Sequence, residues 1–211
     1  MVKLKRESLL FIYIILCYTI YGSLSLLKKI NITLIMGMII GTLYFVIFKF
    51  NSNKIISYLL VVPILCFPSI LNKTKYKMGD KERLFYYIFI FWADYLGCIV
   101  NLYNTTNWYD TLVHFCSGFF SFLVGLFILD RSDIEVSNIF YRIFFSICVV
   151  MFIASIWELF EFGVDSLLGM NLQHSLDTGV RDTMFDILVA FIGGLISSVS
   201  YYVYKRSIDK S

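Results

Sequence analysis

The sequence predicts an all-α fold, a polytopic bundle of six or seven transmembrane helices forming one integral membrane domain over residues 1–211. Composition is the first reason. Of the 211 residues, 59% are hydrophobic and 18% aromatic, and the mean hydropathy is +0.77. That is more apolar surface than a soluble domain of this size can bury. The second reason is continuity. Apolar runs of roughly 20 residues, the length needed to cross the hydrocarbon layer, recur with only 2 prolines and 12 glycines in the chain. Third, the period-2 alternation of a membrane barrel is absent. Helices are then the form that satisfies every backbone group inside a bilayer.

Seven runs can be drawn in order. The opening "MVKLKRESLLFIYIILCYTIYGSLSLL" has a basic start and an apolar stretch without an A-x-A-like site, so it reads as an uncleaved first span over 8–27. A second run covers 32–48, after "KKIN". A third covers 55–71 and holds Pro63 and Pro68, which are expected to kink it. These three spans, within residues 1–72, carry no motif. After the basic loop "NKTKYKMGDKER", the motif-bearing helices occupy 84–204, as spans at 84–103, 109–129, 141–168 and 182–204.

The net charge of +3 comes from basic residues that flank apolar runs. It reads as a topology signal rather than a nucleic-acid footprint, so the expected partner is the lipid bilayer and not nucleic acid. With seven spans and a cytoplasmic C-terminus, 12 of the 18 lysines and arginines fall on the cytoplasmic side of a cell (inner or plasma) membrane. Lys3, Lys5 and Arg6 argue the other way, and six spans would put both ends inside. The orientation of the C-terminal half is the same in both cases. The five cysteines lie in apolar runs without CxxC spacing and are expected to be buried free thiols.

Acids are the unusual feature of the C-terminal half. "IWELFEF" places Glu158 and Glu161 in an apolar helix, where an ionised carboxylate costs several kcal/mol. Asp110 and His114 stand at i, i+4 in the fifth span. Glu158, Glu161 and Asp165 stand at i, i+3, i+7 in the sixth, and Asp182 and Asp186 at i, i+4 in the seventh. Each set shares a helix face. Consecutive spans are antiparallel, so all three sets come to one end of the bundle, the extracytoplasmic end by the charge pattern. His114 lies about five residues into its helix, or ~8 Å. Carboxylates with an imidazole are ligands for hard or borderline divalent cations. Without a metal, the same groups could share protons or pass cations.

Structural roles compete for some of these residues. Asp110 could be a first-turn acid behind an Asn107 N-cap. Asp177 and Thr178 suit the N-cap of the seventh helix. Asp182 could pair with Arg181, Asp165 could meet water, and His174 lies in a loop. Asp94 stands alone in mid-span, where a backbone or tyrosine donor could satisfy it. The depth of His114, Glu158, Glu161 and Asp186 argues against a purely solvated role. An internal hydrogen-bond network without chemistry is the competing reading. Gly118, Gly125, Gly193 and Gly194 suit close helix packing.

"WYDTLVHFCSG", "SIWELFEF" and "LDTGVRDTMFDILVAFIGG" resemble, in this order, the signature segments of the YjdF-like bacterial membrane proteins, a family of uncharacterised function. A more distant similarity is to VanZ-like proteins, although the E-x2-Q pair and basic segment usual there are missing. The resemblance implies a membrane protein with a shared polar site and implies no reaction. The expectation is therefore an outward-facing site with His114, Glu158, Glu161, Asp186, Asp110 and Asp182 as ligands of a divalent metal cation. Glu158 and Glu161 would be the acid–base candidates toward a lipid-linked or cell-envelope substrate. A cation or proton transporter and a non-catalytic structural protein are the alternatives.

Overall fold

The computed structural model describes residues 25–51, 54–173 and 178–208. The first predicted span, apart from its last three residues, lies outside them, as do Cys17, His174 and Asp177. The elements are α1 (Leu26–Phe48), α2 (Ile55–Leu71), α3 (Asp80–Ile90) continued by a π-helical segment (Phe91–Ile99), the short α4 (Leu102–Thr105), α5 (Tyr109–Arg131), α6 (Ile139–Leu168) and α7 (Arg181–Ile208). No strand occurs among the described residues. Four helices, α1, α5, α6 and α7, are long and apolar enough to cross a membrane, and α2 is a shorter apolar helix.

Two groups of helices pack side by side. In the first, α1, α2, α3 and the π segment enclose Met38, Val61, Leu65, Tyr87 and Ile99. In the second, α5, α6 and α7 pack pairwise around Phe122, Leu126 and Val150. The π segment touches α5 and joins the two groups. In α6 the buried row is Ser146, Val150, Ala154 and Glu158, at strict i+4 spacing. Phe144, Phe152, Leu159 and Phe162 point outward and are exposed. Small and polar side chains inside with large apolar ones outside is the pattern of a helix in lipid, where neighbouring helices approach through small residues.

Several boundaries differ from expectation. Helix α1 begins at Leu26 rather than residue 32, with the Ser25 hydroxyl accepting from the Lys28 amide at 3.4 Å. Lys28 and Lys29 therefore sit in the first turns, where long stems let the charge reach the helix end. Helix α3 starts at Asp80, whose carboxylate, with that of Glu82, lies in the first turn and favours the positive end of the dipole. The predicted continuous span at 84–103 instead widens into the π segment and stops at Ile99, before Asn101 with φ 84°. Pro63 and Pro68 are both accommodated within one helix, Ile55–Leu71. Pro68 frees the carbonyl of Ile64, and the Tyr86 hydroxyl donates to it at 2.7 Å. The four cysteines among the described residues are free, as expected, but not buried. Cys66 and Cys148 are exposed, and Cys98 and Cys116 are half-buried. An apolar surface facing lipid accepts a thiol as readily as a protein core does.

The end of the bundle opposite Asp110 and Asp186 is tied by ion pairs. Arg142 donates to Asp130 and, at 2.9 Å, to the Tyr201 hydroxyl, so it joins α5, α6 and α7. Arg131 donates to Glu82 and to the Lys77 carbonyl, each at 3.2 Å, and lies over the Phe127 ring. Lys75 meets Asp133 at 2.5 Å, connecting the two loops. The hydrogen bond and charge of Lys75 hold the Asp133 carboxyl below its ordinary range and raise Lys75 itself. The stabilisation from Asp133 is present above the ordinary carboxylate range and is lost as pH falls through its lowered value. That from Lys75 is lost as pH rises through its raised value. The pair is exposed to solvent and salt. Lys75→Ala is thus expected to leave the thermal midpoint at neutral pH unchanged, while an NMR titration shows Asp133 returning upward to the ordinary range.

Candidate functional site

At the other end, α5, α6 and α7 bring their acids together. Asp110 stands in the first turn of α5, where the helix dipole favours a carboxylate. The expected Asn107 cap is not formed. The N-cap position is Trp108, without a side-chain cap. One turn deeper, His114 is buried, and its Nε2 lies 3.5 Å from Asp110 Oδ1. Asp186 is buried on α7. One ligand atom each from Asp110, His114 and Asp186 lie within 4.8 Å of one another. Four ligands at ~2.1 Å around a tetrahedral ion are about 3.4 Å apart. A contraction of up to about 1.4 Å would bring these three donors to coordination distance, and two carboxylates with an imidazole are suitable chemistry.

Glu158 borders this group from α6. It is only 4% exposed, and its carboxylate is within electrostatic range of His114, Asp110 and Asp186. Its two oxygens differ. Oε2 accepts from Gln173 Nε2 at 3.4 Å, whereas Oε1 is buried with no hydrogen-bond partner among the described residues. A buried carboxylate oxygen without a donor is costly, so this atom calls for a donor, a proton or a cation.

The remaining acids have other surroundings. Glu161, half-buried, accepts from Trp157 Nε1 at 2.9 Å. Trp157 precedes it by one turn and shares its face. Glu161 also lies within electrostatic range of Cys98 and Tyr103, by the π segment. Asp182 is half-buried one turn outward from Asp186, and neither it nor Glu161 belongs to the group within 4.8 Å. Asp165 accepts from two backbone amides, Leu172 N at 2.7 Å and Gln173 N at 3.0 Å. Asp94 is half-buried in the π segment, away from the cluster.

Below the cluster the bundle closes. Gly118 approaches so near to α7 that a Cβ there would stand 1.7 Å from the Ala190 carbonyl oxygen, and one at Gly193 would stand 2.1 Å from that of Phe115. Ala154, Ala190, Phe122 and Val150 are buried at and below this level. Beside the site, an open groove of about 630 Å³ is lined by Asn107, Trp108, Thr111, Leu112, Phe115 and Val189.

Sequence reasoning missed Gln173 and Thr183. Gln173 Nε2 donates to the Glu158 carbonyl at 3.0 Å and to Thr183 Oγ1 at 3.2 Å, besides the carboxylate. A single glutamine in a polar connector carries no periodic signal. Only the folding back of the chain after α6 reveals it.

Comparison with curated proteins and with solved structures finds no match to this chain. A family profile matches residues 30–207, from early in α1 to the end of α7, and so includes every candidate site residue. The chain belongs to that family, described as "Predicted membrane protein (DUF2238)".

Proposed function

We propose that this is a multi-pass protein of the cell membrane, with six or seven spans and a cytoplasmic C-terminus. It binds one divalent cation between Asp110, His114 and Asp186, with Glu158 completing the donor set. The observation that carries this reading is the convergence of three ligand atoms from two helices beside a buried Glu158 oxygen that lacks a donor. The three segments that resemble the YjdF-like proteins contain all four residues, and that finer resemblance is part of the proposal. The site lies within a few turns of the helix ends, which favours a lipid-linked or cell-envelope substrate that reaches it from the headgroup level. A bound divalent cation would supply an activated water, and Glu158 or Glu161 would take its proton. The apolar floor of Ala154, Ala190, Phe122 and Val150 supports binding over conduction through the bundle.

Metal analysis tests this reading. Protein purified in detergent, stripped with chelator and reloaded with zinc, manganese or magnesium is expected to hold one equivalent of at least one of them. Asp186→Asn is expected to hold much less. At an ion concentration 100 times Kd, the bound form gains about 2.7 kcal/mol, visible as a raised thermal midpoint. Equal ion content in wild type and variant would contradict the site. No ion in either would contradict it as well.

A further inference from the structure

We infer that Gln173 is a positioning residue. It fixes the Glu158 carboxylate so that Oε2 is engaged and Oε1 is left for the cation, and the inference thus rests on the proposed ion site. The chain builds this device with its own backbone. Helix α6 ends at Gly169, in the left-handed region with φ 66°, which lets the chain turn back. Asp165, two turns beyond Glu158 on the same helix, then holds the returning strand through the amides of Leu172 and Gln173, one on each carboxylate oxygen. This places the Gln173 side chain, only 9% exposed, over Glu158. Its amide nitrogen has two hydrogens and three acceptors: the Glu158 carbonyl, Glu158 Oε2 and Thr183 Oγ1. Thr183 belongs to α7, one turn before Asp186. The amide therefore ties the ligand-bearing turns of α6 and α7 together at the level of the site.

The consequence is an asymmetric carboxylate. Gln173 engages Oε2 at 3.4 Å, and the Thr183 hydroxyl lies within interaction range of the same carboxylate. Oε1 is the atom left bare. A carboxylate held by one oxygen through a neighbour's donor presents the other as a single ligand with its direction fixed. Partners of this outer kind govern affinity by ~10–100-fold. Two acids of one helix thus do different work: Glu158 faces the ion, and Asp165 holds the strand that orients Glu158.

The test compares wild type with Gln173→Ala and with Gln173→Met, which keeps the volume and removes the donors. Manganese or zinc affinity is measured in each, with the infrared carboxylate stretch of Glu158, identified by its loss in Glu158→Gln, as a readout in metal-free protein. Both variants are expected to weaken ion binding about tenfold at unchanged stoichiometry and to shift the Glu158 band. Wild-type binding with unchanged affinity in Gln173→Met overturns this inference and leaves the ion site standing, as does an unmoved Glu158 band. Absence of an ion in wild type overturns both. Asp165→Ala separates anchoring from contact: it is expected to weaken ion binding in wild type and to add nothing in Gln173→Met.

Discussion

Replacing His114 by alanine is expected to lower divalent-cation affinity by more than about 100-fold, beyond the range typical of residues that only support a ligand. The imidazole contributes the single nitrogen donor of the cluster, and it lies between carboxylates from α5, α6 and α7. Its loss acts twice. With metal present, a ligand is missing. Without metal, Asp110 loses its partner at 3.5 Å, and a cavity opens at a buried position. A large-to-small change at a buried site costs about 2–5 kcal/mol. Asp186→Asn removes a ligand but keeps the side-chain volume. In chelator, His114→Ala should therefore have the lower thermal midpoint of the two, while both fail to gain stability from added ion. Thermal unfolding in detergent, with and without ion, measures both effects. A His114→Ala protein that still gains full stability from the ion would place the ion elsewhere.

The second large effect is expected at the crossing of α5 and α7. In Gly118→Ala the new Cβ would meet the Ala190 carbonyl oxygen at 1.7 Å, and that atom is backbone. It cannot rotate away, so the helices must separate. Overpacking of this kind costs about 3 kcal/mol, a fall of roughly 6–12 °C in midpoint for a chain of this size. Separation of the helices also moves Asp186 away from His114, so ion affinity should fall with stability. Gly163→Ala is the control. It lies in the same kind of helix with nothing within 4 Å of the added carbon, and it should gain roughly 0.5–1 kcal/mol from helix propensity. Equal behaviour of the two variants would mean that α5 and α7 are not in contact at Gly118.

These contrasts show why part of the site was legible in the sequence. Antiparallel connection of long apolar helices decides which ends meet, and i, i+4 spacing decides which side chains share a face. Those two rules bring Asp110, His114 and Asp186 to one place, with Glu158 beside them. The same rules were too coarse for Glu161. Three residues turn a helix by 300°, so Glu161 sits 60° from Glu158, and the indole of Trp157 shares its side. Asp165 is nearly aligned with Glu158 but two turns farther out, and there it meets the returning backbone instead of the cluster. The strand carrying Gln173 depends on a left-handed turn at Gly169 and on contacts that exist only after folding, so periodicity could not disclose it. In the N-terminal half, the start of α1 was obscured because Lys28 and Lys29 resemble a loop yet are tolerated in a first turn. The π segment was invisible for a similar reason. Its apolar composition matches an α-helix, and the difference lies in the hydrogen-bond ladder.

The most direct measurement is the position of the ion itself. An experimental structure of the protein saturated with manganese or zinc, with anomalous scattering recorded at the metal edge, should show one peak within coordination distance of His114 Nε2, Asp110 and Asp186, with Glu158 Oε1 turned toward it. No anomalous peak there at saturating ion, with the His114 and Asp110 side chains still paired to each other, would contradict the account.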